Sequence, residues 1–170
     1  MTIRTKATAA AITAALTVGA MWALPAARAS TTGQPRLCTW GGTPATPTGT
    51  FTISPGVTNL PSPTSLALHA TGALGGACRG TLTYDGQFDP GASCSVNTFA
   101  GRATGLPGIR SFAGVGITVL GPARLYDRDG NVVGSENPEL ATPENAPHFT
   151  DCTTPAGFRG GTFSSVIVLP

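Results

Sequence analysis

Residues 50 to 54 read Thr-Phe-Thr-Ile-Ser, and residues 65 to 70 read Ser-Leu-Ala-Leu-His-Ala. In both stretches apolar side chains alternate with polar or small ones, the period of a strand with one buried face. Phe51 and Ile53 share one face of the first stretch. In the second, Leu66, Leu68 and Ala70 point inward, which leaves His69 on the wetter side. Further strand-like runs fall at residues 78 to 84, 92 to 99, 101 to 104, 111 to 120, 122 to 128, 131 to 135 and 161 to 169. Gly, Pro and Asp-Gly turn signals recur between them. Many short strands with regular punctuation predict an all-β fold: one antiparallel β-sandwich or small β-barrel of about eight strands.

Three hairpins can be placed in register. The Asp129-Gly130 pair suits a two-residue turn that sets Tyr126 opposite Val133. A three-residue loop at Asp85-Gly86-Gln87 would set Tyr84 against Phe88 and Cys78 directly opposite Cys94. A turn centred on Leu106-Pro107 would place Phe99 opposite Gly114 and Gly101 opposite Phe112, so that each ring can lie over a bare glycine backbone.

The four cysteines, Cys38, Cys78, Cys94 and Cys152, show no C-x-x-C spacing, so two disulfides are expected rather than a metal or redox motif. The second hairpin predicts Cys78–Cys94 and leaves Cys38–Cys152 by elimination. Trp40, two residues from a cysteine, is expected to pack on the cystine.

An oxidising compartment is also what the leading segment implies. Arg4 and Lys6 precede a small-residue apolar stretch from Ala7 to Leu24, and Ala27-Arg28-Ala29 forms an A-x-A site. Residues 1–29 therefore read as a signal peptide cleaved between Ala29 and Ser30, with residues 30–170 as a single secreted, extracellular domain. Removing three basic residues with the leader leaves seven Arg against eight Asp and Glu, a net charge of −1. That balance argues against a nucleic-acid partner. Gly, Pro or a charge interrupts each later apolar run, so no stable membrane insertion is expected after cleavage.

The strand pattern stops between residues 136 and 160, where prolines at 138, 143, 147 and 155 stiffen what reads as one long loop. Loops of this length in small domains are often functional. It carries the candidate binding residues Glu144, His148, Phe149 and Asp151, with Cys152 as a staple. The plainer reading is a cover over one end of the sheet.

Catalytic signals are sparse. There is no G-x-S-x-G elbow and no H-E-x-x-H pair, and His69 and His148 are the two imidazoles. Asp85, Asp89, Asp127 and Asp129 fall at expected turn tips, where Asp serves turn geometry. The Asp127-x-Asp129-Gly130-Asn131 string hints at a calcium loop but lacks the distal bidentate Glu. No catalytic residue, metal or cofactor is therefore assigned.

The Ala-rich leader, the Cys38-Thr39-Trp40 start, the hairpin from Tyr126 to Gly134 and the Gly160-to-Ile167 close resemble small secreted β proteins of actinobacteria. The resemblance implies export and a β domain, but no activity. An extracellular binding or interaction module is the leading expectation, its target a protein partner or a small hydrophobic ligand. The alternatives are a small hydrophobic-ligand carrier and a secreted hydrolase without a recognisable motif.

Overall fold

A computed structural model describes residues 34–116, 119–140 and 145–170. The expected leader and cleavage site lie outside the described residues. The strands are β1 (Arg36–Trp40), β2 (Gly42–Thr43), β3 (Thr46–Pro47), β4 (Gly49–Val57), β5 (Leu66–Gly76) and β6 (Thr81–Phe88). They continue as β7 (Asn97–Thr104), β8 (Ser111–Gly116), β9 (Ala123–Tyr126), β10 (Val132–Glu139) and β11 (Phe158–Leu169). A 3₁₀ helix, Ala146–Thr153, lies between β10 and β11.

The strands from β4 to β11 each pair with their sequence neighbours, and closure is shared. β1 pairs with the last part of β11 and the end of β5, while β4 pairs with the first part of each. β1 and β4 therefore fill successive halves of one place in the wall, interrupted by the small β2–β3 hairpin. The result is a closed, eight-stranded, up-and-down antiparallel barrel with two disulfides. Closure removes the free edges that a sandwich would leave.

The alternation read from sequence puts Phe51, Ile53, Leu66, Leu68 and Ala70 in the core. His69 faces outward, 2.6 Å from Asp85 on the neighbouring strand. Eight strands enclose a space that side chains can just fill. Seven aromatic residues take much of it: Trp40, Phe51, Tyr84, Phe88, Phe99, Phe112 and Phe163, all buried. Trp40 meets Phe163 edge-on at 4.6 Å and Phe112 at 5.9 Å, and its indole N–H donates to the Leu82 carbonyl at 3.0 Å.

The β7–β8 register is the expected one, with Phe99 opposite Gly114 and Gly101 opposite Phe112. A Cβ on Gly114 would lie 2.6 Å from the Phe99 ring, so that ring does cover its glycine. Gly101 is covered by a different ring. A Cβ there would lie 2.7 Å from Tyr84, and one on Gly86 would lie 2.3 Å from the Tyr84 hydroxyl.

That packing overturns the Asp85-Gly86-Gln87 loop. The three residues sit inside β6, paired with β5 on one side and β7 on the other. Gly86 makes room for a ring and does not turn the chain. The disulfide expectation fails with it, because Cys78 and Cys94 lie beyond opposite ends of β6. Eight residues of strand, at about 3.3 Å each, separate them by roughly 26 Å or more, far beyond disulfide reach. The pairs are Cys38–Cys78 and Cys94–Cys152.

Two smaller expectations also change. Tyr126 pairs with Val132 rather than Val133, because the Asp127 carboxylate accepts the backbone N–H groups of both Asp129 and Asn131 and widens the turn. The long loop of residues 136–160 is shorter than expected. β10 runs on to Glu139, and the helix and β11 take residues from 146 and 158 onward. Pro138 is tolerated in β10 because pairing with β9 ends at Glu136, so Pro138 has a strand partner on one side alone.

Candidate functional site

Successive antiparallel strands place their connections at alternate ends of the barrel. One end collects the connections 58–65 and 89–96 and the described residues 119–122, 140 and 145–157 of two others. Cys94 and Cys152 join two of these, and backbone bonds join others: Asn59 N–H to the Cys152 carbonyl at 2.9 Å, and Cys94 N–H to the Thr58 carbonyl at 2.8 Å.

Between these connections lies a cleft of about 480 Å³, walled by Val119, Leu120, Pro138, Leu140, Phe149 and the Cys94–Cys152 cystine, with Glu139 at its rim. That volume falls within the range of small-molecule sites. Phe149 is held by stacking on Phe158, with ring centroids 5.7 Å apart and planes 12° from parallel.

Below the cleft, and sharing Leu120 and Pro138 with it, is a cavity of about 30 Å³ inside the barrel. Its walls are mostly aromatic, including Trp40, Phe99, Phe112 and Phe163, but Tyr84 and Glu136 also line it. Glu136 is buried, and Ser165 donates a hydrogen bond from its hydroxyl to the carboxylate. Burial pushes the Glu136 carboxyl up to about 7, against the opposing pull of the Ser165 bond. Burial, and then the nearby charges of Glu136 and Asp89, also hold the Tyr84 phenol above its ordinary value. The Tyr84 hydroxyl is buried without a hydrogen-bond partner. A buried phenol usually finds one.

Of the four candidate residues, one reaches this site. Phe149 lines the cleft. His148 and Asp151 face solvent and meet each other at 3.4 Å across one turn of the helix. Glu144 lies outside the described residues. Cys152 belongs to the cleft wall through Cys94, not through Cys38. Trp40 packs on phenylalanine rings within the barrel, and its ring lines the inner cavity.

Sequence reasoning missed Glu136, Tyr84, Ser165, Leu120 and Pro138. Glu136 was placed at the start of a loop because Val-Val-Gly-Ser-Glu-Asn-Pro-Glu shows no apolar alternation. Alternation could not have found it, because a bulge between Val132 and Gly134 shifts the register and Val132 is exposed. The exposed His69–Asp85 pair stands on the outer wall and lines neither the cavity nor the cleft.

Among the described residues, no three His, Cys, Asp or Glu side chains converge as a metal site, and no helix is long and apolar enough to cross a membrane. No protein-family model, curated protein or solved structure matches the chain.

Proposed function

We propose that the chain is a secreted binding module that takes up a small, mainly apolar molecule at the mouth of its barrel. The observation that carries this reading is the 480 Å³ cleft, which has apolar side chains on most sides and shares Leu120 and Pro138 with the cavity inside the barrel. Placement outside the cell is supported by the leader-like first 29 residues and by the two cystines, which persist in oxidising compartments. The inner cavity has room for about one water molecule, so the body of a ligand belongs in the cleft and not deep in the barrel. Among the described residues the two imidazole–carboxylate pairs, His69–Asp85 and His148–Asp151, are exposed and line neither the cleft nor the inner cavity as a pair.

The test uses protein purified from culture medium, starting at Ser30, and Nile red as a neutral apolar probe. Saturable one-to-one binding with a blue-shifted emission is expected. Phe149→Ser should weaken it about tenfold or more, since losing an apolar contact of this size costs roughly 1.5–3 kcal/mol. Ile109→Ser, at the opposite end, should leave it unchanged. Absence of saturable binding, or equal effects of the two substitutions, overturns the proposal.

A further inference from the structure

A carboxylate that lines a cavity inside an apolar barrel is costly unless a positive charge or several donors face it. Glu136 has one side-chain hydrogen-bond partner, Ser165, whose single hydroxyl proton is shared between the carboxylate and the Asn137 carbonyl 3.1 Å away. The groups packed around it supply no cation. Tyr84 comes from β6 and Trp40 from β1, while Ala123 on β9 and Ile167 on β11 stand opposite in register. None of the cavity-lining side chains is basic, and Tyr84 is the other ionisable one among them. No cation among these side chains opposes Glu136, and Tyr84, in the same lining, has a buried hydroxyl without a hydrogen-bond partner.

Resting on the reading of the cleft as a ligand site, we infer that the ligand is a small primary amine with an apolar body, its ammonium group seated in the inner cavity between Glu136 and Tyr84. The volumes match that division of the molecule. A cavity of about 30 Å³ accepts one heavy atom with its hydrogens, and a cleft of about 480 Å³ accepts the remainder. An ammonium has three donors and no acceptor. It would give one to the Glu136 carboxylate and one to the Tyr84 oxygen, neutralising the first and satisfying the second. An alcohol could make similar hydrogen bonds but brings no charge.

Calorimetric titration with 2-phenylethylamine and its isostere 2-phenylethanol tests this, with Nile red displacement as a parallel readout. At pH 8.5 the amine should bind at least tenfold more tightly than the alcohol. The preference should disappear at pH 5.5, where the carboxyl holds its proton, and in Glu136→Gln at either pH. The wild-type pH series carries the test even if the variant folds poorly. Equal affinities of amine and alcohol at pH 8.5, or a preference that survives at pH 5.5, overturn the inference. Nile red binding that persists in that case keeps the cleft as an apolar site, whereas its loss removes the underlying reading as well.

Discussion

The two ends of the barrel are closed by different kinds of chain. At one end the connections 77–80, 105–110 and 127–131 are short turns held by their own backbone and by side chains such as Asp127, which accepts three bonds within its own turn. Cys38–Cys78 pins β1 to the first of these turns. At the other end the connections are mostly longer; Cys94–Cys152 and the Asn59 N–H bond to the Cys152 carbonyl hold them to one another, and Asn145 ties the last of them to β11. The short-turn end is closed locally. The long-connection end is assembled from distant parts of the sequence, and the cleft is the space those parts leave between them.

The largest effect that separates the ends should come from the cystines. Sequence separations of 40 and 58 residues predict about 4 kcal/mol of chain-entropy stabilisation for each. Removing either pair by Cys→Ser should therefore lower stability to a similar extent in denaturant titrations. Nile red binding should divide them. Cys38→Ser with Cys78→Ser leaves the cleft intact once the protein is folded, whereas Cys94→Ser with Cys152→Ser removes part of its wall and should weaken binding severalfold. Equal binding losses would mean that the ends are coupled through the barrel, and the contrast drawn between them would fail.

A second, smaller effect belongs to Glu136, on the strand that runs toward the mouth. Its carboxyl is raised in the folded protein from 4.5 to about 7, so folding favours the protonated form. The stability this contributes is fully present below about pH 4.5 and is lost as pH rises through about 7. A shift of that size corresponds to on the order of 3 kcal/mol between the two limits. Glu136→Gln should therefore be more stable than wild type at pH 8.5, with the gap closing toward pH 4.5. An amine bound at Glu136 would narrow the same gap at high pH. A pH-independent difference would mean that the carboxylate is solvated from the mouth.

The contrast between the ends also explains what the sequence revealed. Strand faces follow from nearest-neighbour alternation, so Phe51, Ile53, Leu66 and Leu68 were readable, as was the β7–β8 register with its glycines. At the short-turn end the turn at Leu106-Pro107 was legible, Asp127 shifted one register by a residue, and the 77–80 turn was read as part of a strand from 78 to 84. Gly86 misled because a glycine that admits a ring looks the same in sequence as a glycine that turns the chain. The wrong loop then carried both disulfides with it. Of the expected loop residues, Phe149 lines the cleft, while Glu136 was read as the start of a loop and stands inside the barrel. An acid at an inward strand position contradicts the pattern by which such positions are recognised.

The smallest of the three effects tests what holds the long connection between β10 and β11. Asn145 is buried and acts as a side-chain clamp. Its amide N–H₂ donates to the Leu140 carbonyl at 2.9 Å and to the Thr162 carbonyl, while its carbonyl oxygen accepts the Thr162 backbone N–H at 2.8 Å. Gly161 beside it leaves the space, since a Cβ there would fall 2.1 Å from the Asn145 oxygen. Asn145→Ala strips partners from buried backbone groups, at a cost of roughly 1–3 kcal/mol. It should also raise protease cleavage between residues 145 and 157, because Asn145 ties the start of this segment to β11. The double variant Cys94→Ser with Cys152→Ser sharpens the result. If the cystine is the main anchor, the double variant is cut faster than Asn145→Ala. If Asn145→Ala is cut faster, the mouth is held by its clamp and the cystine serves mainly to restrict the unfolded chain.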